Sequence, residues 1–220
     1  MTMKRHFDDD LQAMRSRLLE MGAACEEMVQ YALKLLAERS SQYMDEVRRR
    51  EDIVNRLHVE VDEQCLQLIA RYQPAAGDLR MIAAALKINS DLERIGDQAV
   101  NIAENGMFFI AQPHMMLFHV PRMAELACSM LKDSLDAFSR KDVEKARAVL
   151  RKDDEEDELK GRVFKELMAL MQSDPSTIQR GLDIILIARN LERIADHATN
   201  IAEDVIFMVA GRDVRHGAGR

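Results

Sequence analysis

The segment Leu92-Glu93-Arg94-Ile95-Gly96-Asp97-Gln98-Ala99-Val100-Asn101-Ile102-Ala103-Glu104 returns 99 residues later as Leu191-Glu192-Arg193-Ile194-Ala195-Asp196-His197-Ala198-Thr199-Asn200-Ile201-Ala202-Glu203. Ten of the thirteen positions are identical, the exceptions being the pairs 96/195, 98/197 and 100/199. Such a recurrence makes the chain two copies of one unit. Packing a helix needs only an apolar stripe, which explains the kept Leu, Ile and Ala. It does not explain Glu, Asp, Asn and Glu at matched places, so the polar residues need a second account.

The apolar periodicity is helical throughout. In the first helix Phe7, Leu11, Met14, Leu18, Met21, Cys25, Met28, Ala32 and Leu35 alternate spacings of four and three, a heptad-like stripe suited to a bundle. Ser40 and Ser41 interrupt it. A second helix over 44–72 turns Val54, Leu57, Val61, Cys65 and Leu68 inward and ends at Gln73-Pro74. Asp78 is the expected N-cap of a third helix that runs to 109. The four prolines, Pro74, Pro113, Pro121 and Pro175, fall between periodic stretches and interrupt none. After a joint at 110–120 the plan repeats, with helices over 121–139, 142–172 and 176–210. The expected fold is all-α: two tandem antiparallel three-helix bundles related by an internal repeat, elongated because a 30-residue helix is about 45 Å long. Residues 1–109 form the first repeat, 121–210 the second, and 211–220 a polar tail.

The net charge of −7 argues against nucleic-acid binding, which relies on cationic side chains releasing counterions from phosphate. Cys25, Cys65 and Cys128 are odd in number and sit at apolar helical positions, as buried thiols of a reducing compartment do. Lys4, Arg5 and Asp8 to Asp10 are unlike a secretory leader, and no apolar run approaches the roughly 20 residues of a membrane span. A cytoplasmic, soluble protein is expected.

On the third helix Glu93, Asp97, Asn101 and Glu104 fall within an arc of roughly 80°, nearly opposite Ile88, Leu92, Ile95, Ala99 and Ile102. The sixth helix repeats the strip with Glu192, Asp196, Asn200 and Glu203. Carboxylates one turn apart repel by a few tenths of a kcal/mol, so keeping Glu and Asp at i and i+4 twice favours a cation or a basic partner between them. Aligning Leu57 with Leu159 sets Glu51 and Asn55 of the second helix against Asp153 and Asp157 of the fifth. Each half then has two helices with oxygen groups four residues apart, a pattern that could chelate a hard or borderline metal. The plainer account is a solvated face, with the run Asp153 to Glu158 helping a helix start electrostatically. Arg94 and Arg193 recur as well, either pairing along the helix with Gln98 or a local carboxylate or meeting a partner. Gly96 and Ala195 point to close helix packing. His197 beside Asp196 has Gln98 as its counterpart, and His114 and His119 belong to the joint. The fifteen methionines are core filler.

These residues resemble the PhoU family of phosphate-signalling regulators over nearly the whole chain. The likeness is most specific in Gln73-Pro74-Ala75-Ala76-Gly77-Asp78-Leu79-Arg80 and in the two Leu-Glu-Arg-Ile-x-Asp-x-Ala-x-Asn-Ile-Ala-Glu strips. The resemblance implies tandem three-helix bundles and iron, zinc or another divalent metal. Its ligands would be Glu51, Asn55, Glu93, Asp97 and Asn101 in the first half and Asp153, Asp157, Glu192, Asp196 and Asn200 in the second. Asn55 stands where the pattern prefers a carboxylate, which weakens the first site. The implied role is that of a cytoplasmic adaptor and negative regulator, coupling the ATPase subunit of the phosphate ABC importer to a sensor histidine kinase. A homodimer is the expected assembly. No Gly-rich phosphate loop, placed nucleophile or Glu-x-x-His pair suggests an enzyme. The alternative is a di-metal helical-bundle oxidase or phosphohydrolase, and a third reading is a ligand-free helical dimer.

Overall fold

The computed structural model describes residues 2–212 and 214, with side chains from residue 6 onward. Seven α-helices and one 3-10 turn make up the described chain: α1 (Thr2–Glu38), α2 (Gln42–Tyr72), α3 (Ala76–Ile110), α4 (Val120–Arg140), α5 (Val143–Leu150), α6 (Asp153–Ser173), the turn Pro175–Thr177 and α7 (Ile178–Ala210). No β-strand occurs among the described residues. The heptad-like stripe of α1 is buried from Met14 through Leu35, while Phe7 and Leu11 pack at its margin. Val54, Leu57, Val61, Cys65 and Leu68 of α2 turn inward, as their spacing requires. At 37 residues α1 is about 55 Å long.

The breaks have local causes. Gln73 adopts a left-handed conformation, φ 47°, and its N–H caps Ile69 O before Pro74 ends α2. Helix α3 begins earlier than Asp78, whose carboxylate stands in the first turn instead of at the N-cap. Gly211 closes α7 with φ 67°. Most of the tail expected at 211–220 lies outside the described residues.

The helix expected over 142–172 is divided. Asp142 caps α5 by accepting from Lys145 N, and the chain bends at Arg151 and Lys152 before α6 starts. Asp133 of α4 holds the bend from beneath, receiving Lys145 Nζ at 2.8 Å and Lys152 Nζ at 2.7 Å. Burial alone would raise the Asp133 carboxyl, but the two ammonium groups together bring it below its ordinary value. Because of this bend Asp153 and Asp157 open a helix, whereas Glu51 and Asn55 lie inside one.

The halves are joined chiefly by α3 lying antiparallel on α7, the most extensive helix pairing in the molecule. Cross-links run along it: Lys87 Nζ to Asp204 Oδ1 at 2.9 Å, His197 Nδ1 to Asp91 Oδ1 at 2.8 Å, and Gln112 Nε2 to Asp183 Oδ2 at 2.8 Å. Because α3 and α7 carry the repeated segment, the two copies meet about a pseudo-twofold axis. A second seam runs between α1 and α4, where a Cβ on Gly22 would lie 2.3 Å from Leu135 Cδ1. That closeness accounts for the glycine.

Candidate functional site

The repeated strips fall on the side of α3 and α7 that faces α2 and α6. Glu51, Glu93, Asp153 and Glu192 are half-buried, and Asn55, Asp97, Asn101, Asp157, Asp196 and Asn200 are exposed. In the first half burial raises the Glu51 carboxyl above its ordinary value, and Asp97, Asp52 and Glu104 raise it further. Glu51 therefore shares a field with the α3 strip, as the pairing of helices requires.

In the second half the crowding is tighter. Burial, then Asp157, Asp154 and Glu192, raise the Asp153 carboxyl. Burial, then Glu192, Asp153 and Asp157, push Asp196 up to about 6. Lys160 enters this group: its Nζ donates to Glu192 Oε1 at 2.6 Å and to Asp157 Oδ1 at 3.3 Å. The lysine supplies one of the positive charges the strip needs. These ion pairs are partly solvated, and each is worth little by itself.

Two placements depart from a simple ligand strip. Asn200 turns toward the seam between the halves and donates to Asp91 Oδ1 at 3.2 Å. Asn55, Glu93 and Asn101 form no side-chain bond with the other strip residues. Among the described residues, no three His, Cys, Asp or Glu side chains converge closely enough to hold an ion. The strips are brought face to face, with α6 against α7 and α2 against α3, but are not drawn together.

Glu156 carries no mark of its own in the sequence, where it is one acid in the run Asp153 to Glu158. It is 1% exposed, and neither carboxyl oxygen has a hydrogen-bond partner. Burial first, then Glu192, Asp153 and Asp157, push its carboxyl to about 8. The alignment of Leu57 with Leu159 contains the signal, since Glu156 matches Val54, which is 1% exposed in the first core. Gly96 packs there, with its Cβ position 3.3 Å from Val54 Cγ1. Gly96 and Ala195 thus serve close helix packing. His114 is exposed, and His119 Nε2 lies 3.1 Å from Glu166 Oε1, away from the strips.

The PhoU domain family matches residues 18–106 and 120–205 of this chain. A phosphate-specific transport system accessory protein PhoU homolog from Pseudomonas putida is 38% identical over 216 residues, covering 97% of this chain and 84% of that protein. The crystal structure of PhoU from Pseudomonas aeruginosa superposes with a TM-score of 0.90 at 38% identity, over 94% of this chain and 100% of that one. The phosphate transport system regulatory protein PhoU from Streptococcus pneumoniae gives a TM-score of 0.88 at 28% identity, over 94% and 99%.

Proposed function

The chain belongs to the PhoU family, and from that premise we propose that it is a non-enzymatic regulator of phosphate uptake. In this reading it is a cytoplasmic adaptor that links the ATPase subunit of a phosphate ABC importer to a sensor histidine kinase and restrains the phosphate-starvation response when phosphate is plentiful. The observation that carries it is likeness over 97% of the chain to proteins named as accessories of phosphate transport. Those names describe accessory and regulatory proteins rather than enzymes, and they lend the di-metal oxidase or phosphohydrolase no support. No described helix is long and apolar enough to cross a membrane, so attachment to an importer would pass through protein contacts.

The strips are assigned a cation-holding role within this adaptor. The second half offers oxygen donors only, crowded enough that Asp153, Glu156 and Asp196 are all pushed toward protonation. The orphaned carboxyl of Glu156 beneath them marks a deficit of positive charge. The chemistry of those donors, though not their present spacing, suits a hard or borderline divalent ion such as iron or zinc. Asp153, Asp157, Glu192 and Asp196 would have to draw together to hold it and Asn200 would have to leave Asp91, with Glu51, Asn55, Glu93, Asp97 and Asn101 as the weaker counterpart. A bound ion would supply positive charge that Lys160 provides only in part. It would also brace α6, which buries only four side chains along its length.

Deleting the gene should raise phosphate-starvation gene expression in phosphate-replete cells. Pull-down against the importer ATPase and the kinase cytoplasmic domain should recover both. Normal repression together with normal phosphate uptake in the deletion strain would defeat the reading.

A further inference from the structure

We propose that an open cavity on the pseudo-twofold between α3 and α7 binds a phosphate-type oxyanion through the paired guanidinium groups of Arg94 and Arg193. The cavity has a volume of 430 Å³ and is lined from both halves. Its two arginines are repeat mates, 99 residues apart, brought to one opening by the antiparallel crossing.

Neither arginine is neutralised where it stands. At i+4 they have Gln98 and His197, and at i−4 Ser90 and Arg189, so neither has an acidic neighbour four residues away. Asp97 and Asp196 lie three residues on and Asp91 three before Arg94, yet no ion pair or side-chain hydrogen bond joins either guanidinium to any described residue. Arg50, Arg56 and Arg162 of this same chain, by contrast, each pair with a glutamate four residues away. Two like charges on one cavity repel, and a bound anion turns that repulsion into attraction. The planar fork of a guanidinium suits tetrahedral oxyanions in particular, because it can donate two parallel bonds.

A second observation points the same way. Gln98 lines the cavity, is 7% exposed, and its Oε1 is buried with no hydrogen-bond partner. The other end of the amide, Nε2, donates to no described residue either, and an NH₂ is the kind of donor an anion needs. At the matching position His197 gives Nδ1 to Asp91, leaving Nε2 as the ring's remaining polar atom. Thr199 and Asn200 at the rim are already engaged, Thr199 Oγ1 with Asp196 O at 2.7 Å and Asn200 Nδ2 with Asp91. Among the described residues Asp196 is the one carboxylate on the lining. Two guanidiniums at the opening therefore stand against the lining carboxylate of Asp196 and the more withdrawn Asp91, which His197 and Asn200 already engage.

The shared chemistry is a phosphate dianion, either free or at the end of a nucleotide. The site stands without the adaptor reading, since it concerns the isolated protein alone. Its failure would leave that reading untouched.

The test is calorimetric titration of the full chain with inorganic phosphate and, separately, with AMP, in a low-salt buffer containing a chelator. Saturable binding of one equivalent is expected. Arg94→Gln or Arg193→Gln should weaken it by about tenfold, and the double variant should abolish it. Arg94→Lys should retain part of the affinity, Gln98→Ala should lose a smaller share than either Arg variant, and Arg189→Gln should bind as the parent does. Circular dichroism of the exposed-arginine variants should match the parent. Binding of phosphate alone identifies the free ion, and binding of AMP alone identifies a nucleotide. The proposal is overturned if neither binds saturably, if the double variant binds like the parent, or if chloride at matched ionic strength competes as well as phosphate.

Discussion

Replacing Glu156 with Val should stabilise the protein, and by more as the pH rises. Val54 occupies the matching place in the first core, so the larger acid is the departure from the repeat. The folded carboxyl is pushed from its ordinary 4.5 to about 8. Between those values the folded chain keeps a proton that the unfolded chain has released, so stability is highest below the lower value and falls as the pH climbs toward the upper one. The cost is about 1.5 kcal/mol at about pH 5.5, about 3 kcal/mol at neutral pH and about 4.5 kcal/mol at about pH 8.5, a rise of about 3 kcal/mol across that whole window. Against typical domain stabilities that is a large fraction. The measurement is urea unfolding at both pH values with chelator present, comparing parent, Glu156→Val and Glu156→Gln. Glutamine keeps the shape but cannot titrate, so its gap to the parent must widen with pH. Parallel pH dependence in the parent and Glu156→Gln would refute the assignment of the penalty to this carboxyl.

Asp196→Asn should lower the metal content of protein purified without chelator while leaving helicity unchanged, because an exposed carboxylate adds little to the core; elemental analysis with circular dichroism decides it, and unchanged stoichiometry counts against the strip as ligand. Asp204→Ala should cost about 1–3 kcal/mol in thermal or urea unfolding, since it removes a 5% exposed carboxylate from Lys87 at the seam between the halves. Thiol reagents should label Cys25, Cys65 and Cys128 slowly in the native protein and quickly in denaturant. Burial pushes Cys65 and Cys128 to about 12 and Cys25 still higher, and the Cys25 thiol donates to Leu92 O; fast native labelling of Cys25 would contradict that packing.

The sequence by itself determined the helices, the duplication and the inward stripes, because helical periodicity and the breaks at Gln73-Pro74 and Ser173 to Pro175 are local properties of the chain. It also separated the kept polar residues from the kept apolar ones, which is why the strips of α3 and α7 stand out from the repeat alone. What it could not supply was the partner of each side chain across space. The bend at Arg151 and Lys152 depends on Asp133 lying underneath, some twenty positions earlier. Lys160 reads as one more surface lysine until α6 is set against α7, when it lands among the carboxylates. Gln98 and His197 have the look of drift within the repeat. Only the antiparallel crossing of α3 on α7 shows that they face the seam between the halves, His197 tied to Asp91 and Gln98 left with an unmatched amide beside two unpaired arginines. How helices rotate and cross is fixed by contacts between residues distant in sequence, so the tertiary structure alone decided which polar groups found partners and which were left for a ligand.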